Sequence, residues 1–108
     1  MSPVNVPIVS GSPNTATCLV AGAQTYFVVF VTAAVTLHIS FGAETPHSET
    51  ITVVITQDGT GHTVSAGAEF ATLGTITSTA SNSTVTKFFY DEYTALWWPL
   101  GQSSAAVV

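Results

Sequence analysis

The stretch Val35-Thr36-Leu37-His38-Ile39-Ser40-Phe41 constrains the fold more than any other part of the chain. Its apolar residues alternate strictly with polar ones, the pattern of a strand with one face in a core and the other in solvent. Ile51, Val53 and Ile55 alternate with Thr50, Thr52 and Thr56 in the same way, although Val54 breaks the polar side. Tyr26-Phe27-Val28-Val29-Phe30-Val31 is continuously apolar and reads as a strand covered on both faces. No segment sets apolar residues at i, i+3, i+4 and i+7 between helix caps. A chain patterned like this can only be built from strands.

The intervening residues supply the turns. Thr32-Ala33-Ala34 links the first two strands, so Phe30 to Phe41 reads as a hairpin. Asp58-Gly59-Thr60-Gly61 carries hairpin chemistry, because glycine supplies the positive φ that tight turns need, with His62 to Ser65 returning. Thr75 to Thr79 reads as a short edge strand and Ala80 to Ser83 as a turn. Thr84 to Tyr90 is a strong strand, and Asp91-Glu92-Tyr93 turns into Thr94 to Trp98, where Pro99 and Gly101 are expected to stop the pairing. The predicted fold is an all-β, jelly-roll-like β-sandwich of roughly six to eight short strands over residues 23–102. Residues 1–22 hold three of the five prolines and are expected to form an extended N-terminal arm. Residues 103–108 are expected to trail off as a C-terminal tail.

Charge excludes several function classes. Of 108 residues only 6% are charged, the formal net charge is −5, and Lys87 is the only Lys or Arg. Nucleic-acid binding needs clustered cations to neutralise phosphates, and attraction to anionic membranes needs the same, so neither partner is expected. The surface must instead be made of Thr, Ser, Ala and Gly, a neutral surface that suits a permanent interface. Met1 to Asn5 carry no basic or apolar leader, so no signal peptide is expected. Cys18 is the single cysteine; no intrachain disulfide is possible, and a small buried hydrophobe beside Leu19 and Val20 is its expected role.

Catalytic chemistry finds little support. His38, His47 and His62 stand at no metal-ligand spacing; Asp58 and His62 could meet across their turn, and His38 falls on the polar side of its strand. Glu44 and Glu49 flank a loop and Asp91 and Glu92 adjoin in a turn, with neither pair beside a base. No G-x-S-x-G elbow occurs. No enzyme activity, metal or other cofactor is expected. The aromatic cluster Phe88, Phe89, Tyr90, Tyr93, Trp97 and Trp98 carries more information. Trp97 and Trp98 are neighbours on a strand and must face opposite ways, so one is expected in the core and the other on the surface or in a contact.

The strand Ile51-Thr52-Val53-Val54-Ile55-Thr56-Gln57, the turn Asp58 to Gly61, the run Ser81 to Asp91 and the closing Leu96-Trp97-Trp98 together resemble a β-rich module of small structural proteins and fibres of tailed bacteriophages. This chain departs from that module in its second tryptophan and in Glu92-Tyr93, which replace a glycine-containing turn. The resemblance implies a non-enzymatic virion structural protein made in the host cytoplasm. Size and layout, with a short chain beginning at Met1, favour a capsid decoration (cement) protein on the capsid surface. Its expected partners are the major capsid protein and further copies of itself as a homotrimer. The alternative is a receptor- or carbohydrate-binding module of a tail or head fibre. The interface is expected on Val4, Val6, Ile8 and Val9 of the arm, on Tyr26, Val28 and Phe30, and on Tyr93, Trp97 and Trp98.

Overall fold

The alternating segments form strands at the expected places. The computed structural model describes residues 3–21, 25–42 and 45–106. It contains β1 (Val4–Val6), β2 (Thr15–Leu19), β3 (Tyr26–Val31), β4 (Val35–Ser40), β5 (Thr50–Gln57), β6 (Val64–Ala66), β7 (Asn82–Asp91) and β8 (Leu96–Ala106). These eight strands make two packed sheets, in the orders β1-β3-β5-β7-β8 and β2-β4-β6, so the chain is an all-β sandwich.

Successive strands alternate between the sheets. β1, β3 and β5 pair in parallel in the larger sheet, and β2, β4 and β6 pair in parallel in the smaller. The first six strands are therefore three stacked arches, and β7 and β8 then add to the larger sheet as an antiparallel hairpin. The two hairpins expected upstream, Phe30 to Phe41 and Ile51 to Ser65, are arches instead. Three extended residues reach about 10 Å, the separation of packed sheets, so Thr32-Ala33-Ala34 can carry the chain across the core. At the second arch the Asp58 carboxylate accepts the N–H groups of Thr60 (2.9 Å) and Gly61 (3.0 Å). Gly61 has φ +85°, and a side chain there would run into the Ser78 carbonyl; the turn redirects the chain to the other sheet.

Three further expectations are corrected. Residues 4–6 and 15–19 of the expected arm are strands of the two sheets, with Val6, Ala16, Cys18 and Val20 in the core. Met1, Ser2 and Gly22 lie outside the described residues. Apolar β-branched residues between prolines gain more from joining sheets than from staying solvated. Residues 75–79 form no strand. Finally, β8 runs through Pro99 and Gly101 to Ala106, with a register shift at Lys87/Phe88 opposite Leu100 absorbing the proline. Residues 103–106 of the expected tail are thus strand, and Val107 and Val108 lie outside the described residues.

The core lies between the sheets. Phe27, Val29 and Val31 meet Ile51, Val53 and Ile55 on one side and Ala16, Cys18, Leu37 and Ile39 on the other. Burial pushes the Cys18 thiol up to about 12, which leaves it un-ionised and unreactive. At one end Phe41, Tyr90 and Trp97 form an aromatic box with ring centroids 5.0–5.5 Å apart, and Phe70 packs edge-on against Phe88. The segment 67–81 closes the gap between β6 and the β7–β8 hairpin, burying Phe70 and Leu73. Side-chain amides pin it: Gln57 donates to the carbonyls of His62 (2.8 Å) and Thr77 (2.9 Å) and accepts the His62 N–H (2.8 Å). Gln102 accepts the Thr75 N–H and donates to the Leu73 carbonyl.

Candidate functional site

Two surfaces at the β7–β8 side of the molecule stand out, and each follows from strand alternation. On β8, Trp97 points into the aromatic box and is 1% exposed, while Trp98 points outward and is 42% exposed. Sequence left open which of the two tryptophans is core, and the structure puts Trp97 inside and Trp98 outside. Beyond them the turn of residues 92–95 lifts Tyr93 clear of the fold at 96% exposure.

The tip is built rigidly for a turn. Asp91 accepts the Tyr93 N–H through one carboxylate oxygen (3.0 Å) and the Thr94 hydroxyl through the other (2.9 Å). The Ala95 N–H closes back on the Asp91 carbonyl at 2.8 Å. The Trp98 indole N–H donates to the Thr94 hydroxyl (3.1 Å), which fixes the ring against the turn. Ser48 donates to the Glu92 carboxylate (3.0 Å) and brings a second acid to the same end. The tip thus joins two exposed aromatic rings with two carboxylates.

The second surface is the outer face of the larger sheet. Val28, Val54 and Val85 sit side by side in register on β3, β5 and β7, and Phe89 lies beside Trp98. Phe30 is 55% exposed, and Val85 and Leu100 are also exposed. A shallow groove of about 480 Å³ runs between Tyr26, Thr52, Val54 and Val85. Lys87, the only Lys or Arg in the chain, lies on this face. The expectation that β3 is covered on both sides is corrected: Phe27, Val29 and Val31 are buried, while Tyr26 and Val28 are half-buried and Phe30 lies open. The apolar run comes from a hydrophobic outer face.

Of the residues expected in an interface, Tyr26, Val28, Phe30, Tyr93 and Trp98 gather on these two surfaces. Val6 and Trp97 are core. Val4 and Ile8 pack on the core's margin, and Val9 is exposed beside β2. Sequence reasoning missed Leu100, Val54 and Val85; the intrusion of Val54 into a threonine-lined face was their one visible signal.

The titratable groups pair locally. His38 meets Glu69 (2.8 Å), His47 meets Glu49 (2.9 Å) and His62 meets Asp58 (3.1 Å). The Asp58 carboxyl is held below its ordinary value chiefly by the N–H of Gly61, then by that of Thr60 and by His62. Glu44 lies outside the described residues. Among the described residues no three His, Cys, Asp or Glu side chains converge as a metal site would require.

Neither a curated protein nor a solved structure matches the chain. A family model does, over residues 10–93, which takes in β2 through β7 and the turn to Tyr93 and leaves out β1 and β8. The all-β sandwich, the near-absence of charge and this match over most of the chain lead to one assignment: the protein belongs to the family described as "Putative phage tail fibre C-terminal domain", a structural module of the phage virion.

Proposed function

We propose that this chain is a non-enzymatic receptor- or carbohydrate-binding module of a phage fibre, and that it binds through the Tyr93–Trp98 tip. The observation that carries this reading is the exposure of Tyr93, at 96%. A ring so far from the fold adds nothing to stability, whereas an aromatic face offers a flat apolar platform for the C–H face of a sugar or a receptor side chain. Trp98 stands beside it with its N–H already bonded to Thr94. Both oxygens of Asp91 are held by the turn, but each carboxylate oxygen keeps a second lone pair that can accept a sugar hydroxyl. The family match favours a fibre over a capsid decoration protein.

The test is adsorption of the purified chain to host bacterial cells and to a panel of immobilised bacterial surface glycans. Saturable binding that Tyr93→Ala and Trp98→Ala abolish together, with an unchanged circular dichroism spectrum, is the expected result. Binding unaffected by the double variant overturns the assignment of the tip.

The second reading, capsid decoration, draws support from the apolar outer face of the larger sheet, which suits a protein partner. In that reading the partner is the major capsid protein and the assembly a homotrimer. Co-sedimentation with capsids lacking the protein separates the two: a fixed lattice stoichiometry supports decoration, and no binding leaves the fibre reading alone.

A further inference from the structure

A sheet edge exposes unpaired N–H and C=O groups, and proteins normally shorten, break or charge such edges. Three of the four edges here follow that rule. β1 is three residues long between Pro3 and Pro7, and proline has no N–H to offer a ladder. β2 is five residues long, and its Thr15 already exchanges two backbone bonds with Val9 (2.7 and 3.0 Å). β6 is three residues long.

β8 breaks the rule. It has eleven residues, and among the described residues its outer side is covered only at Trp97. There the N–H donates to the Glu69 carbonyl (2.8 Å) and the carbonyl accepts from Ala71 (2.9 Å). Beyond the shift at Leu100, residues 101–106 contain no charge, no proline and no further irregularity. The direction of their backbone groups follows from the ladder. Tyr90 donates to Glu49 on the β5 side, so alternate residues of β7 face β5 and the others, Lys87, Val85 and Ser83, face β8. Their partners Gly101, Ser103 and Ala105 are therefore bonded inward. Gln102, Ser104 and Ala106 turn their N–H and C=O groups outward.

We infer that β8 pairs antiparallel with β8 of a second copy of this chain, about a twofold axis at Ser104, joining two five-stranded sheets edge to edge. Identical antiparallel strands are self-complementary: Gln102 lies opposite Ala106 of the other copy, and each free donor meets a free acceptor. Charge is compatible with the same occupant. A chain of net charge −5 meets least repulsion from its own copy through neutral surface, and β8 is neutral throughout. The outer apolar face continues across the junction, with Val85 and Leu100 beside it on either side. Growth stops at two copies, because β1 at the far edge of each sheet is short and flanked by prolines.

Sedimentation of the full chain over a range of concentrations, combined with amide hydrogen exchange, tests this. The wild type is expected to sediment at twice the chain mass, with slow exchange at Gln102, Ser104 and Ala106, whose amides have no acceptor among the described residues. Ser104→Pro removes an outward N–H and leaves the backbone ladder to β7 in place; it also removes the Ser104 hydroxyl bonded to Thr84 (2.9 Å), a loss that Ser104→Ala reproduces without touching the N–H. The proline variant should weaken self-association about tenfold or more, speed exchange at Gln102 and Ala106, and leave circular dichroism unchanged. A wild-type monomer at every concentration, fast exchange at those three amides in the wild type, or an oligomer that Ser104→Pro leaves intact would each overturn the pairing. The wild-type exchange pattern decides the matter even if the proline variant fails to fold. Glycan binding at the tip is a separate measurement that none of these outcomes affects.

Discussion

The two sheets differ in how much apolar surface they present to the outside. The smaller sheet shows Thr15, Thr17, Thr36, His38, Ser40 and Ser65, with Leu19 its one large apolar residue. The larger shows Tyr26, Val28, Phe30, Val54, Val85, Phe89 and Trp98 around a single lysine. Both have a parallel portion, and parallel sheets are ordinarily covered on both faces. The smaller sheet instead faces water with hydroxyls, whose β-branched stems keep strand geometry while their oxygens stay solvated. The larger sheet sets such hydroxyls on Thr50, Thr52, Thr56 and Ser83 among a cluster of outward apolar side chains that they do not cover. Exposed apolar faces of this kind are typical of interaction surfaces, and the contrast is the reason the proposed contacts lie on the five-stranded side.

Three experiments break or sharpen that contrast. The largest effect is expected from the adjacent tryptophans, which sample the inside and outside of the same sheet. Trp97→Ala empties the aromatic box and should cost about 3–5 kcal/mol in urea unfolding. Trp98→Ala should cost about 1 kcal/mol or less. Equal losses would mean that the outer ring is as much a part of the core as the inner one.

A smaller effect in stability, but a direct one on the face, should follow from Phe30→Thr with Val85→Thr. The double variant gives the larger sheet the surface chemistry of the smaller. Binding of a hydrophobic dye such as ANS should fall, with stability within about 1 kcal/mol of wild type. The control Thr17→Val with Thr36→Val should raise dye binding. If neither pair changes dye binding, the two faces do not differ in the way described.

The smallest effect concerns the turn that sends the chain from one sheet to the other. The Asp58 carboxyl is depressed in the folded state by the Gly61 and Thr60 N–H groups. Its contribution is therefore complete above the ordinary value of 3.8 and is lost as pH falls through the lower folded value. Asp58→Asn keeps an oxygen for the two N–H groups and removes the charge. The stability gap between wild type and variant should narrow below about pH 4; parallel curves across that range would show that the charge contributes nothing to the turn.

Much of the fold was legible in single residues. The alternation in 35–41 and 51–55 set strands β4 and β5 and their inward faces, and extending the second alternation by one step places Gln57 in the core. Its burial was thus visible, but its purpose was not. Its three bonds go to His62 and Thr77, and the Thr77 bond holds down a segment that has no periodicity of its own. The tip was half legible: adjacency forced Trp97 and Trp98 apart, whereas the exposure of Tyr93 depends on where the turn points. The arm was misread because three prolines suggest extended chain, and nothing local indicates that Val4–Val6 and Thr15–Leu19 find partners 20 or more residues away in β3 and β4.

The sequence by itself determined that the chain is all strand, that it carries almost no charge, and which residues on each strand share a face. Those properties follow from the two-residue period of extended backbone and from composition. Only the tertiary structure decided that successive strands cross between sheets, and so that the apolar outward residues of β3, β5, β7 and β8 join in one face with an open edge beside it. Pairing is set by backbone hydrogen bonds between distant segments, and every strand offers the same donors and acceptors. Side-chain alternation says which way a residue points, but the neighbouring strand decides what it points alongside.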